Sequence, residues 1–312
     1  MQVEEELASF SPDKDTILTI GVFDGVHLGH QKLIAELIKQ ARERNLLAGV
    51  VTFRQHPEDL LTAGKKLPFL TDTKTRTRLL KEEGVDFIIT LSFNKDLAAL
   101  SATRFLNLLQ QRLRMRGLVI GEDFALGKGR EGDTAAIQRI GKEKGISVTI
   151  VPPLKINGEI VSSTILRKAL AAGNICKVKD LTGRPYSLHG KVIEGAGRGG
   201  GLGFPTANMD VKSGQALPPD GVYVGLTRFN GKTYQSMTNI GRNPTFGEAE
   251  RTVESYLVDY QGDLYGKEVY LDIVARLRDE KKFSEIEELK KQISQDIVQG
   301  KKILESIGVK QP

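Results

Sequence analysis

Residues 21–31 read GVFDGVHLGHQ and hold two of the chain's four histidines, His27 and His30. Gly21, Phe23, Asp24, Gly25 and Gly29 surround them. The β-prone run Thr16-Ile17-Leu18-Thr19-Ile20 leads in, and a helical pattern, QKLIAELIKQARERN, leads out. A helix start offers N–H groups and a partial positive charge, and so attracts phosphate. Glycines let a ligand approach the backbone closely. Imidazoles three residues apart fall on roughly one side of a first helical turn. There they can donate hydrogen bonds to the charge that grows on a leaving pyrophosphate. A metal site of the form HxGH lacks a third ligand nearby, and a purely structural use, capping or packing, is the remaining alternative. The C-terminal edge of a first strand is where open α/β sheets bind ligands.

A second candidate helix start, VSSTILRKAL, offers Ser162, Ser163 and Thr164, with Arg167 able to reach back as a bidentate phosphate clamp. The plain alternative is a capping serine and a solvated arginine. A third stretch, GAGRGGGLGFPTAN, satisfies G-x-G-x-x-G through Gly195, Gly197 and Gly200. That pattern needs a helix next, and Pro205 prevents one there. No Walker motif exists either, because Gly225 to Gly231-Lys232-Thr233 has one residue too many between its glycines. The glycines therefore suit a flap or an anion nest, with Arg198 adding charge, or simply a surface loop. Thr206 and Asn208, two apart, lie on one side of an extended segment, and their oxygens suit Mg²⁺.

On a strand, Glu254, Tyr256, Val258 and Tyr260 share one face. A carboxylate among aromatic neighbours is poorly solvated, which raises its proton affinity and suits a general base. Glu268 falls with Asp272 and Arg276 and reads as a solvated edge charge. His189 reads as a surface strand residue.

The elements that must position these groups form two patterns. Up to about residue 182, the apolar strands TILTIGVF, LAGVVTF, VDFIITLSF, RGLVIG and ISVTIV alternate with amphipathic helices. This indicates a parallel sheet covered on both faces. The helix STILRKALAAG ends at Gly173, a C-cap. From 183 onwards, YSLHGKVIEG, GVYVGLTRF, TYQSMTNIG, RTVESYLVDYQ and KEVYLDIVARL are strand-like and separated by turns. They predict an antiparallel sheet or small barrel, closed by one terminal helix with Ser284 as N-cap. The expected class is α/β followed by β, with domains 1–182 and 183–312.

The chain has 312 residues, enough for two domains. No apolar run approaches the ~18 residues of a membrane span, and the acidic start MQVEEELASF lacks the order of a secretory signal. Cys176 is the only cysteine, which excludes internal disulfides and cysteine metal clusters and fits a reducing cytoplasm. The net charge of +6, concentrated in the first 182 residues, suits anionic ligands such as nucleotides. It also keeps a nucleic-acid-binding regulator as a rival, although tryptophan, RNP-like motifs and dense basic blocks are absent. Oligomeric state is left open.

GVFDGVHLGHQ resembles the signature of the bacterial flavin adenylyltransferase module of the HxGH nucleotidyltransferase superfamily. TFRQHPEDLL, FLTDTKTRTRLL, GEDFALGKGREGD and VSSTILRKAL follow in that family's order. The resemblance implies a Rossmann-like domain in which Ser162, Ser163, Thr164 and Arg167 contact ATP phosphates. Gly21, Phe23, Asp24, Gly25 and Gly29 would line the nucleotide site. Asp123 and Phe124 would lie beside nucleotide and flavin, with His56 on the flavin side. Val22 stands where the family commonly has Asn, and Arg54-Gln55 replace a more usual Glu-Pro. GRGGGLGFPTAN, TNIGRNPTF, TVESYLVDY, DLYGKEV and LRDEKKF resemble riboflavin kinase. This implies Mg-ATP binding by Thr206 and Asn208, with Gly197, Arg198, Gly199, Gly203 and Pro205 at the nucleotide. It also implies Glu254 as base on the riboflavin 5′-hydroxyl, with Asn239, Arg278 and Phe283 near the flavin; the alternative for Arg278 is that it holds the final helix. Gly200-Gly201 stand where many members carry another basic residue.

Together the two matches resemble the family of bacterial bifunctional riboflavin kinase/FMN adenylyltransferases. The implied path is riboflavin and ATP to FMN and ADP, then FMN and ATP to FAD and pyrophosphate. The alternatives are retention of one activity only, or adenylylation of another phosphate such as a pantetheine or glycerol phosphate.

Overall fold

The computed structural model describes residues 2–57, 60, 67–195, 201, 203–242 and 251–308. The chain divides into two compact units, Met1–Ser163 and Thr164–Pro312.

The first unit is built on five parallel strands: β1 (Thr16–Ile20), β2 (Leu47–Phe53), β3 (Phe87–Leu91), β4 (Met115–Gly121) and, after one short hairpin, β7 (Ser147–Val151). Ala125–Leu126 (β5) pairs with Gly132–Asp133 (β6), and Lys155–Ile156 (β8) with Glu159–Ile160 (β9). The sheet order is β3-β2-β1-β4-β7, so the chain steps outwards from β1 and then returns to its other side. Its helices among the described residues include α1 (Gln2–Ala8), α2 (Leu28–Glu43), α3 (Thr73–Glu82), α4 (Lys95–Ala98), α5 (Ala102–Leu113) and α6 (Thr134–Lys144).

Strand alternation splits the core in two. Ile17, Ala48, Val50 and Val119 pack with Ile34 and Leu37 of α2 and Leu79 and Leu80 of α3. Leu18, Ile20, Val51 and Ile120 pack on the opposite face with α1, α5 and α6. Both faces are therefore buried, which is why the strands read as apolar runs. Helix starts are fixed by side-chain caps: Asp72 accepts from Thr75 N, Ser101 from Arg104 N and Asp133 from Ala136 N.

The division between units falls at the first residue of α7 (Ser163–Ala171). That helix ends as the sequence suggests: Gly173, at φ +70°, donates to Leu170 O, and Asn174 N reaches Ala169 O. Asn174 then caps α8 (Ile175–Thr182), which packs on the barrel that follows.

Six antiparallel strands close that barrel: β10 (Tyr186–Ile193), β11 (Thr206–Val211), β12 (Gly221–Phe229), β13 (Lys232–Arg242), β14 (Arg251–Leu257) and β15 (Glu268–Arg278). They run in the order β10-β11-β14-β13-β12-β15. Asn230 and Gly231, both at positive φ, make the two-residue turn between β12 and β13. Buried hydroxyls bond to one another across the strands, Thr227 to Ser236 at 2.9 Å and Thr238 to Ser255 at 3.0 Å. Val224, Met237 and Val258, on the alternate positions, pack against Leu304 of α9 (Ile286–Ser306). Gly300 permits the approach, because a Cβ there would fall 2.3 Å from Met237 Cε.

Three expectations are corrected. The terminal helix has Glu285, not Ser284, at its N-cap, and Ser284 Oγ instead points to Glu288. His189 is buried and stacks on Tyr270, with ring centroids 4.4 Å apart, rather than lying on the surface. Strand β14 ends at Leu257, so Tyr260 leaves the face of Glu254 and joins Phe229 and Tyr234 in an aromatic cluster.

Candidate functional sites

The turn after β1 is held under unusual backbone constraint. Phe23 (φ 53°), Gly25 (φ 81°) and Val26 (φ 37°) all adopt positive φ, and Val26 is β-branched and fully buried. Such geometry persists only where its surroundings dictate it. Here the buried carboxylate of Asp24 accepts from the N–H groups of Leu70 and Thr71 at 2.9 Å, and Gly25 N donates to Thr71 Oγ1 at 3.0 Å. Ser163 Oγ donates to Asp24 O at 2.8 Å, so the first residue of α7 is tied to the same turn.

His27 is the N-cap of α2, and its Nδ1 accepts from His30 N at 3.3 Å. An accepting Nδ1 leaves the neutral ring's proton on Nε2, which is then a donor. The two imidazoles stack 3.6 Å apart at 17°, with Phe23 edge-on to His30 at 5.2 Å. Gly29 lies under this pair: a Cβ would sit 3.1 Å from His27 Nδ1 and 3.2 Å from Val161 O. Gly21 is similarly close to the Phe23 ring. Among the described residues, no group of three or more His, Cys, Asp or Glu is arranged to hold a metal.

β1 and β4 are neighbours at the point where strand order reverses. The loops leaving their C-terminal ends therefore flank the crevice where doubly wound sheets bind ligands. The loop after β1 carries His27 and His30, and the loop after β4 carries Asp123 and Phe124. Asp123 is exposed and its carbonyl accepts from Arg130, whereas Phe124 packs partly into the core. His56 is half-buried just beyond β2, on the same edge of the sheet. Ser162 precedes α7, Thr164 is exposed on its first turn, and Arg167 follows four residues after Ser163.

The barrel assembles a second group. Asn208 lies opposite Glu254, and Glu254 lies opposite Asn239, so three polar side chains form one row across β11, β14 and β13. Cβ atoms of such cross-strand pairs lie about 4.5–5.5 Å apart. The next row is Thr206, Tyr256 and Met237, which places Thr206 beside Asn208 on the face that α9 partly covers. Gly195 meets Asn208 so closely that a Cβ would fall 2.0 Å from its Nδ2. Phe204 packs edge-on to Tyr256, Pro205 is exposed and Gly203 has φ +86°. Gly197, Arg198, Gly199 and Gly200 lie outside the described residues.

Glu280, which sequence reasoning did not single out, accepts from Asn239 Nδ2 at 3.1 Å. Arg278 is committed to α9: its Nε and Nη2 bond to the Asp296 carboxylate at 2.7–3.1 Å, and its Nη1 to Asp279 O.

The fold and these groups define a nucleotidyltransferase-type parallel sheet joined to a small kinase-type barrel. The FAD synthetase family model matches residues 9–165, and the riboflavin kinase family model matches residues 182–304. The bifunctional riboflavin kinase/FMN adenylyltransferase of Escherichia coli strain K12 is 37% identical over 290 residues, covering 92% of each chain. Its counterpart in Bacillus subtilis strain 168 is 33% identical over 285 residues, covering 90% of each. A crystal structure from Streptococcus pneumoniae, named a macrolide-efflux protein, superposes with a TM-score of 0.86 at 30% identity, covering 96% of both chains. Efflux belongs to that protein's name; among the described residues of this chain, no helix is long and apolar enough to cross a membrane. The chain belongs to the family of bifunctional riboflavin kinase/FMN adenylyltransferases. It is an enzyme of flavin cofactor synthesis with both activities.

Proposed function

We propose that the two groups of residues divide the chemistry between them, with residues 1–182 transferring adenylyl and residues 183–312 phosphorylating riboflavin. The observation that carries this reading is the row Asn208–Glu254–Asn239, which puts a carboxylate between two amides on adjacent strands of the barrel. In the kinase step Glu254 takes the proton of the riboflavin 5′-hydroxyl as that oxygen attacks the γ-phosphorus of ATP and ADP leaves. The Thr206 hydroxyl and Asn208 amide oxygen are hard donors on one strand face, a set that fits Mg²⁺ shared with ATP phosphates. When bound there, the ion neutralises charge on those phosphates. Asn239 orients the flavin side, and Arg278 contributes by holding α9 against the barrel.

In the second step a phosphate oxygen of FMN attacks the α-phosphorus of ATP, and pyrophosphate leaves. His27, through Nε2–H, and His30 stabilise that leaving group. Gly21, Gly25 and Gly29 keep side chains out of the way, and Asp24 shapes the turn. Ser162, Ser163, Thr164 and Arg167 take ATP phosphates, and Phe124 and His56 lie on the flavin side. Positioning and charge stabilisation supply the acceleration, and no covalent intermediate is needed. The substrates and products are riboflavin, FMN, FAD, ATP, ADP and pyrophosphate, in a cytoplasmic setting.

Chromatography of products from riboflavin with Mg-ATP, and separately from FMN with Mg-ATP, tests the division. Glu254→Gln is expected to stop FMN formation while FMN-to-FAD conversion continues, and His30→Ala to do the reverse. Loss of both activities from either substitution in a folded protein refutes the assignment.

A further inference from the structure

Helix α1 has seven residues, too few to be stable alone. Its two buried residues, Val3 and Leu7, join the core of Phe87, Ile89 and Leu91 on β3. Just after it, Phe10 stacks on Phe87 with ring centroids 4.5 Å apart. That packing holds the helix, and its polar face does something else. Glu6 turns both carboxylate oxygens to one residue beyond β3: Oε2 accepts from Ser92 N at 2.8 Å and Oε1 from Ser92 Oγ at 2.6 Å. Gln2 Oε1 accepts from Asn94 Nδ2 at 2.9 Å, and Asn94 Oδ1 caps α4 through Leu97 N. The loop 92–94 is thus pinned at both ends by a helix far from it in sequence.

Between the two pins lies Phe93, which meets the segment after β2. Its N–H donates to Gln55 Oε1 at 3.3 Å, its ring meets Phe53 edge-on at 5.6 Å, and Arg54 N donates to Leu91 O at 2.8 Å. Gln55 immediately precedes His56. Because β1, β2 and β3 are parallel, these segments leave the same edge of the sheet as the turn of His27. A series therefore runs from α1 to that edge: Glu6 to Ser92, Phe93 to Gln55, and Gln55 to the backbone of His56.

We infer that Glu6 is a positioning residue for the flavin in adenylyl transfer: it fixes the loop 92–94, which fixes Gln55 and with it His56. The inference rests on the adenylyltransferase reading that puts His56 on the flavin side. Two charge-assisted bonds from one carboxylate to one residue are strong and directional. Such anchoring matters because a displacement of about 1 Å can cost about 100-fold in a positioned reaction. The histidine turn hangs on other bonds, those of Asp24 to Leu70 and Thr71, so the effect of Glu6 falls on FMN and not on ATP.

The test uses the full chain with Glu6→Ala, Glu6→Gln, Gln55→Ala and the double variant Glu6→Ala/Gln55→Ala. Each is assayed with FMN and Mg-ATP and, separately, with riboflavin and Mg-ATP. Glu6→Ala is expected to raise the KM for FMN in adenylylation about tenfold, with the KM for ATP within about twofold. Lost stability alone would remove active enzyme and lower kcat without moving one KM. Riboflavin phosphorylation stays within about twofold. Glu6→Gln brings the KM for FMN back to within about threefold of wild type, because the amide oxygen accepts from Ser92 N while Nε2 donates to Ser92 Oγ. Gln55→Ala, a change at an exposed residue, raises the same KM about threefold. The double variant falls short of the product of the single ones, because both act on one loop. An unchanged FMN KM in either alanine variant overturns the inference, as do equal rises for FMN and ATP, a glutamine variant as poor as the alanine one, or rises that multiply. If Glu6→Ala does not fold, Gln55→Ala decides: a rise confined to the FMN KM supports the inference, and an unchanged KM overturns it. A wild-type chain that makes no FAD from FMN, or an FMN KM unmoved by His56→Ala, would instead sink the reading on which the inference rests.

Discussion

Removing Asp296 should release the terminal helix from the kinase face. The Asp296 side chain is 6% exposed and its partner Arg278 16%, and three contacts of 2.7–3.1 Å join them. Gln292 adds a further bond to Asp296 at 3.0 Å. Breaking a buried ion pair from one side costs about 3–5 kcal/mol, because the surviving charge is stranded. Arg278 retains some access to water, so Asp296→Ala should fall at the low end, about 3 kcal/mol or roughly 150-fold in the folding equilibrium. Replacing both members, Arg278→Met with Asp296→Leu, should recover stability to within about 1 kcal/mol. The chain has no tryptophan, so the readouts are urea unfolding by far-UV circular dichroism and amide exchange across α9. A change below about 0.5 kcal/mol, or unchanged exchange in α9, would refute the reasoning. The riboflavin KM of the double variant then separates two roles for Arg278. Recovery with stability means that it acts by holding α9, and a KM that stays high means that it touches the flavin.

Gly195→Ala places a methyl 2.0 Å from Asn208 Nδ2 and must turn that side chain away, so steady-state assays should show about 100-fold less riboflavin phosphorylation with FMN adenylylation unchanged. Asp86 offers a pH test in the other unit. Burial alone would raise its carboxyl, but the bidentate bonds from Arg42 at 2.9 Å and the Ala48 N–H at 2.7 Å outweigh that and hold it below the usual range. A carboxylate depressed in the folded state adds stability above its unfolded pKa, near 4, and loses it as pH falls through the folded value. Asp86→Asn should therefore be less stable than wild type at pH 7 in urea titrations, and the gap should close as pH falls through the depressed folded value.

What was legible in the sequence was what depends on local geometry. The parallel sheet showed itself because helices bury both of its faces, leaving runs such as Leu47–Phe53 apolar at nearly every position. The turn of His27 and His30 showed itself because glycines, a strand end and a helix start are adjacent in the chain. Helix α1 did not: it has seven residues and two buried ones, Val3 and Leu7, and Glu6 accepts from Ser92, eighty-six residues away. Barrel closure was equally hidden, since β10 must find β15 across the whole domain. Glu280 is one acid in a charged run, and only its bond to Asn239 distinguishes it.

The same contrast explains how the turn of His27 and His30 is built. Groups that touch phosphate can be local, because a helix start and its cap supply donors within one turn. The bonds that hold the turn's backbone are not local, because a short turn cannot satisfy its own buried carboxylate. Asp24 takes its hydrogen bonds from Leu70 and Thr71, both beyond β2 in the chain. The turn's two stacked imidazoles are therefore only as well placed as that distant frame allows.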